Sequence, residues 1–247
     1  METIESKKIV VPGEVLATGM DFLPSSGTYR DKDKIISTYV GLTNVSGRVI
    51  RVIPLRGRYI PKRDDTIIGR IFDMTFSNWF IDMNCANIGV LSVREISEFV
   101  ERGADLADYF SHGDYVVCKI SKVTRSSVDL SMRGPGLRKL GPGKLIQVDS
   151  SKVPRIIGKQ GSMISMVKDK TCCRIVVGQN GTIWIQGAPE DEMVAAEAIY
   201  KINQESHREG LTEEIATLLE KKASKNKPLT REDEEPTMER GRHEQTE

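Results

Sequence analysis

The chain has 247 residues, 29% of them charged and 38% apolar, with a formal net charge of +1. This is a water-soluble composition, long enough for more than one core; no apolar run approaches a membrane span and Met1 to Lys8 lacks a signal-peptide core, so a cytoplasmic protein is expected. The four cysteines, Cys85, Cys118, Cys172 and Cys173, have no paired spacing suited to zinc. Adjacent Cys172 and Cys173 would point to opposite sides of a strand, and buried small residues in a reducing compartment are expected rather than a disulfide framework.

Order is expected to begin at Ile9-Val10-Val11-Pro12-Gly13, after eight frayed residues. From there to Lys62 the sequence reads as strands and turns, with a strand-like break at Gly27-Thr28-Tyr29 inside the polar stretch Asp21 to Lys34. Ile35 to Leu42 and Arg48 to Leu55 are β-rich runs separated by a turn at Val45-Ser46-Gly47, which predicts a small all-β unit. Arg48, Arg51, Arg56, Arg58, Lys62 and Arg63 follow one another without an acid. They form either a solvated strand face or a surface for RNA or an acidic partner.

Five strand candidates follow: Thr66 to Met74, Trp79 to Asn84, Ile88 to Val93, Asp114 to Val123 and Ser127 to Met132. Five strands of this length predict an OB barrel, a fold often used for single-stranded nucleic acid. Arg94 to Phe110 is expected to insert a helix carrying Ile96, Phe99, Val100, Leu106 and Phe110. Phe76, Trp79 and Phe80 surround the first turn, where stacking aromatics would sit; alternation puts Trp79 and Phe80 on opposite sides. Such rings are equally suited to a barrel core. Residues 134–143 hold four Gly-Pro or Pro-Gly steps and no acid, so Arg133, Arg138, Lys139 and Lys144 mark a linker that could also strap RNA.

The most informative stretch is Ile156-Ile157-Gly158-Lys159-Gln160-Gly161-Ser162-Met163-Ile164. Two glycines bracket a cation and an amide, between an apolar run and a helix with Met163, Ile164 and Val167 on one face. Backbone can approach closely at Gly158 and Gly161, and the amides opening the helix point outward with its positive dipole end. The stretch resembles the KH signature Ile-Gly-X-X-Gly-X-X-Ile, a loop that clamps about four nucleotides. Its surroundings agree: a strand at Lys144 to Val148, strands at Arg174 to Val177 and Thr182 to Ile185 around Gly178-Gln179-Asn180-Gly181, and a helix after Pro189 opened by Glu190, Asp191 and Glu192. The order β-α-α-β-β-α is that of a eukaryotic-type KH domain. Lys152, Arg155, Lys159, Lys168, Lys170 and Arg174 oppose only Asp169. Thr212 is expected to cap a last helix with Ile215, Leu218 and Leu219 on its apolar stripe, and the tail from Ser224 to be disordered.

The three parts in this order resemble the archaeal exosome's RNA-binding cap subunit with a KH domain, the ribosomal-RNA-processing protein four family. The most specific segment is Val52-Ile53-Pro54-Leu55-Arg56-Gly57-Arg58-Tyr59-Ile60-Pro61-Lys62 followed by Asp65-Thr66-Ile67-Ile68-Gly69; Val11-Pro12-Gly13 and Gly27-Thr28-Tyr29 match as well. The middle part resembles the S-one type of OB fold, with Gly89-Val90-Leu91-Ser92-Val93 at its third strand, though Ser92 and Ser127 stand where a histidine and an arginine are usual. The expected architecture is multidomain, β-rich plus α+β: an N-terminal all-β domain over 1–62, an OB barrel over 63–133, the Gly/Pro linker 134–143, the KH domain with its C-terminal helix over 144–222 and a disordered tail 223–247.

The resemblance implies a noncatalytic role. Three such subunits, or a mixture with a zinc-ribbon cap subunit, would sit on a hexameric ribonuclease-PH-like ring, docked by the N-terminal domain, and feed single-stranded RNA 3′ ends, A-rich tails included, into it. Residues expected to touch RNA are Arg155, Ile157, Gly158, Lys159, Gln160 and Gly161 of the KH loop, Phe76 and Trp79 of the barrel, and Arg133, Arg138 and Lys139 at the linker. No cofactor or metal is expected. His112, His207 and His243 are isolated, and neither a catalytic triad nor a metal-ligand cluster can be assembled from the spacing. A free-standing RNA-binding factor of transcription or translation is the alternative; polynucleotide phosphorylase carries the same modules, but in the opposite order and behind a catalytic core.

Overall fold

Seven short strands build the first unit in the computed structural model, which describes residues 8–55, 57–97, 105–205 and 210–222. They are β1 (Ile9–Val10), β2 (Val15–Thr18), β3 (Leu23–Pro24), β4 (Thr28–Asp31), β5 (Lys34–Ser37), β6 (Gly41–Ser46) and β7 (Val49–Pro54). One sheet has the order β1-β6-β7-β3 and the other β2-β5-β4. Alternation along β7 turns Ile50 and Val52 inward, where they meet Val10, Leu16, Ala17 and Ile35 in a small core. The apolar run expected as one strand over Ile35 to Leu42 is in fact two. The Ser37 hydroxyl donates to the Tyr39 carbonyl (2.8 Å), and the chain bends over residues 38–40 before entering the other sheet. Gly41 permits that crossing, since a Cβ there would lie 2.3 Å from the Ile53 carbonyl oxygen.

The second unit is a closed barrel of β8 (Thr66–Met74), β9 (Asn78–Asp82), β10 (Ile88–Ser92), β11 (Tyr115–Val123) and β12 (Ser127–Ser131). Its order, β10-β12-β11-β8-β9 with β10 and β12 parallel and the other pairs antiparallel, is that of an OB fold. Of the helical insert expected over Arg94 to Phe110, the described residues hold two single 3-10 turns, Val93–Glu95 and Leu106–Asp108, and residues 98–104 lie outside them. Each begins at its own cap: Ser92 Oγ accepts from Arg94 N–H (3.4 Å) and Asp105 Oδ1 from Ala107 N–H (2.9 Å). Ile96, Leu106 and Phe110 still plug the barrel end as the pattern required, while Phe99 and Val100 lie outside the described residues, as do Arg56, residues 1–7 and the tail 223–247.

The third unit follows the KH order: β13 (Lys144–Gln147), α1 (Val153–Ile157), α2 (Ser162–Thr171), β14 (Arg174–Val177), β15 (Thr182–Gln186) and α3 (Pro189–Gln204), with α4 (Leu211–Lys222) added against α2 and α3. The antiparallel sheet β13-β15-β14 packs Ile146, Ile175, Ile183 and Ile185 against Ile156, Val167, Ala198 and Ile199. Glu192 Oε1 accepts the Gly187 N–H (3.0 Å) ahead of α3, and the acidic first turn suits the dipole. Thr212 does not cap α4. The helix starts at Leu211, two residues before a Thr212 cap would start it, with the Glu213 and Glu214 N–H groups reaching the Gly210 carbonyl at 3.2 and 3.4 Å, and this seats Leu211 in the core.

Barrel and KH unit share a core of their own. Thr182 to Ile185 are buried on both faces of β15; Trp184 leaves the helices and packs with Ile68, Val117 and Leu140. The 134–143 segment is thus more than a tether. Val117 N–H donates to the Arg138 carbonyl and Leu140 N–H to the Tyr115 carbonyl, both 2.8 Å, making the segment an extra edge on β11. Trp184 Nε1 closes the joint by donating to the Gly141 carbonyl (3.2 Å).

The KH hairpin turn completes it. Gln179 N–H donates to the Thr66 carbonyl (2.8 Å), and Asn180 Nδ2 donates to the carbonyls of Ile68 (2.8 Å) and Met83 (3.0 Å) while its Oδ1 accepts Ile68 N–H (3.3 Å).

All four cysteines are free thiols. Cys172 and Cys173, expected on a strand, occupy the turn before β14, with Cys172 in a left-handed conformation at the end of α2. Burial pushes the Cys118 thiol well above its ordinary range, so its thiolate is scarce. Alkylation of the native protein near pH 8 should therefore modify half-exposed Cys172 well before Cys118, which should react only once denaturant is added. Mass spectrometry of the modified peptides checks the order; early labelling of Cys118 would contradict this barrel packing.

Candidate nucleic-acid interface

α1 ends because Gly158 leaves helical space (φ 78°, ψ 175°), its N–H still donating to the Pro154 carbonyl (3.0 Å). Gly158 has to be glycine on two counts: its positive φ, and the Met163 backbone nitrogen, which a Cβ would meet at 2.8 Å. The loop then makes a single 3-10 turn over Lys159–Gly161, with Gln160 at φ 54° and Gly161 at φ 81°. Left-handed Gln160 is uncommon for a residue with a Cβ and holds the loop out from the body. Gly161 caps α2 without a side-chain hydrogen bond, Ser162 N–H donates back to the Lys159 carbonyl, and the positive end of the α2 dipole faces the loop. Lys159 and Gln160 are exposed there, Arg155 is exposed on α1, and Ile157 is half-buried against the KH core. An anion with spaced charges has in one place a cation, the positive end of α2 and backbone room.

The wider KH charge is less available than composition implied. Lys152 pairs with Asp149 (2.9 Å) and Lys170 with Glu220 (3.0 Å), while burial lowers the pKa of half-buried Lys168. Lys159 has no ion pair among the described residues.

The barrel requires one correction. Trp79 is fully buried, packed edge-on against Phe110 with ring centroids 5.1 Å apart, and cannot stack on a base. The alternation was read correctly, but the inward ring was taken for the binding one: Trp79 and Ile81 point in and Phe80 points out. Phe76 is wholly exposed at the tip of the β8–β9 hairpin. Two rings join the candidate surface. The β8 ladder slips between Ile71 and Asp73, and the residue at the slip, Phe72, lies exposed beside Phe80 with centroids 6.4 Å apart. A bulge leaves no mark in period-two reading, so nothing in the pattern announced Phe72.

At the linker, Arg133 and Arg138 are exposed. Lys139 is committed to Asp114 at 2.5 Å; although partial burial acts against it, the Lys139 ammonium and the Ser111 N–H hold that carboxyl below its usual range. Among the described residues no three His, Cys, Asp or Glu side chains group as metal ligands, and no helix is long and apolar enough to cross a membrane.

Comparison with known proteins agrees with this geometry. Residues 144–204 match the KH domain family, and residues 7–56 match the exosome RNA binding protein RRP4 N-terminal domain. The exosome complex component Rrp4 of Methanothermobacter thermautotrophicus is 41% identical over 222 residues, 90% of this chain and 70% of that one. The chain belongs to the archaeal Rrp4 family. Rrp4 of Pyrococcus horikoshii is 38% identical over 250 aligned positions, covering 99% of this chain and 94% of its own. Among solved structures, a crystal structure assigned to an exosome complex RNA-binding protein is 32% identical with a TM-score of 0.61, covering 67% of this chain and 97% of that one.

Proposed function

We propose that the chain is a noncatalytic RNA-binding subunit of a cytoplasmic exosome, a complex that degrades RNA from its 3′ end. The observation that carries this is the KH loop, whose exposed Lys159, outward Gln160 and adjoining α2 N-terminus suit a sugar-phosphate backbone. In this reading three copies, or copies mixed with a zinc-ribbon subunit, cap a ribonuclease-PH-like ring and thread RNA, A-rich tails included, into it. The outer face of the first sheet supports docking there. Ile9, Leu42 and Ile53 stand in register across β1, β6 and β7, and Leu23 stands beside Val49 across β3 and β7. Ile9 and Leu23 are 63% and 56% exposed on the two edge strands of this sheet, apolar ground that suits a protein partner, while Arg51 and Ile53 between them border the cleft shared with the KH unit.

Replacing Lys159 and Gln160 together by aspartate should weaken binding of single-stranded RNA about tenfold near 0.1 M salt and flatten log K against log salt by about 0.7 for the lost phosphate contact. Assembly with the ring should be unaffected. Fluorescence anisotropy across a salt series, with sedimentation of the reconstituted complex, measures both. A folded variant with unchanged affinity would remove the KH loop from the site. Ribosomal or polymerase proteins in place of ring subunits in a low-salt pull-down would instead make the chain a free-standing RNA factor, and shortening of labelled RNA by the pure chain would end the noncatalytic reading.

A further inference from the structure

We propose that RNA held by the KH loop continues into a cleft lined by all three units, where Arg51, Arg58 and Lys62 hold its phosphates. This rests on the RNA-binding reading above but concerns a different part of the molecule. The cleft has a volume of about 480 Å³, within the range of ligand sites, and lies between β7, the segment 57–62 and the KH residues Ser150, Ser151, Pro154 and Gln179. Ser151 Oγ donates to the Leu55 carbonyl (3.1 Å) and ties the first unit to the KH unit at the cleft. None of the three cations is in an ion pair among the described residues. The carboxylate that lines the cleft, Asp65, already accepts the Tyr59 hydroxyl at 2.5 Å. The cleft is thus a cationic recess with serine hydroxyls on one wall.

Its position gives it a substrate. Pro154 lines the cleft and belongs to α1, whose five residues span about 7 Å and lead directly to Gly158. Nucleotides leaving a loop that clamps about four of them are delivered to this recess. On the far side Lys62 is shared with a shallow groove that also holds Arg63 and Lys122, and Arg63 is shared with the next depression, which holds Lys119. Asp64 is the acid in that last depression, paired with Lys119 at 3.0 Å and 4.0 Å from Arg63. Cations repeated through three adjoining hollows that share Lys62 and Arg63, beginning near a phosphate loop, fit a polyanion of repeated charge better than an acidic protein segment.

The test compares two RNA lengths on the full chain. The triple variant Arg51→Gln, Arg58→Gln, Lys62→Gln should bind a labelled oligoadenylate dodecamer about tenfold more weakly, with a salt slope shallower by about two, as expected for three lost phosphate contacts at about 0.7 each. A tetranucleotide, which the KH loop accommodates alone, should bind as before. Unchanged dodecamer affinity and slope in the folded triple variant, while the Lys159→Asp, Gln160→Asp variant loses binding, would overturn the cleft and leave the KH reading standing. Undiminished binding by the KH-loop variant would count against that reading instead. Normal RNA binding with lost sedimentation on the ring would make the cleft a protein-docking surface and also overturn the inference. If the triple variant does not fold, thiouridine photocrosslinking of the dodecamer to the unaltered chain decides: crosslinks in the Arg58–Lys62 peptide support the path, and crosslinks confined to KH peptides refute it.

Discussion

Asn180→Ala should lower the unfolding free energy by about 3–5 kcal/mol and uncouple the barrel from the KH unit. The turn residue is 2% exposed, and its amide satisfies Ile68 N–H, Ile68 C=O and Met83 C=O. Ile68 faces Val117 of β11 on one side, while β9 pairing starts only at Arg70, so the Ile68 backbone groups on the open side have the KH turn as their partner. Alanine would leave three buried backbone groups without hydrogen bonds, each costing about 1–3 kcal/mol, less whatever the joint recovers by relaxing. Asn180→Asp should be no better, because a carboxylate cannot donate to the two carbonyls. Gln179→Ala is the control: its contact to Thr66 is made by the backbone, so the change should stay within about 0.5 kcal/mol. Urea denaturation gives the free energies, and calorimetry should resolve one transition in the parent and two in Asn180→Ala. A single transition with a loss below about 1 kcal/mol would mean that the apolar joint around Trp184 suffices to couple the units.

Asn180 also shows where reading the sequence stops. Asn-Gly was legible as a hairpin turn, because left-handed backbone suits those residues. That the same asparagine is a strand partner for the barrel was not, since its contacts lie 97 and 112 residues away along the chain. The same division holds elsewhere. Strands β8, β11 and β14 and the KH loop were legible because period two, period 3.6 and glycine punctuation are local properties. The break at residues 38–40 was not, because it depends on Gly41 fitting under the Ile53 carbonyl of another strand. Lys139 counted as an available cation until Asp114, distant in sequence, was placed beside it. In the cleft, Arg51, Arg58 and Lys62 were visible as a basic run, but that Ser151 and Pro154 face them follows only from the way the KH unit is clamped to the barrel.

Trp79→Ala should destabilise the barrel by about 3–5 kcal/mol, as expected for truncating a large buried aromatic side chain, whereas Phe76→Ala should leave stability within about 0.5 kcal/mol. Trp79 is fully enclosed with Ile71, Ile81, Leu91 and Leu130 around it and Phe110 on its edge, and the cavity left by alanine would open at the barrel end closed by the residues after β10. The indole N–H has no hydrogen-bond partner among the described residues, and Trp79→Phe gives up that donor along with some volume, so it should cost far less, below about 1.5 kcal/mol. RNA affinity should order the other way. Phe76 stands fully exposed on the hairpin tip, and if it stacks on a base its removal weakens binding by about 1–3 kcal/mol, while Trp79→Phe leaves binding unchanged. Denaturant melts and anisotropy on the same three variants measure both quantities. A Trp79→Phe protein that folds normally yet binds RNA tenfold more weakly would mean that the barrel opens to present its core ring, and the assignment of the two aromatics would have to be reversed.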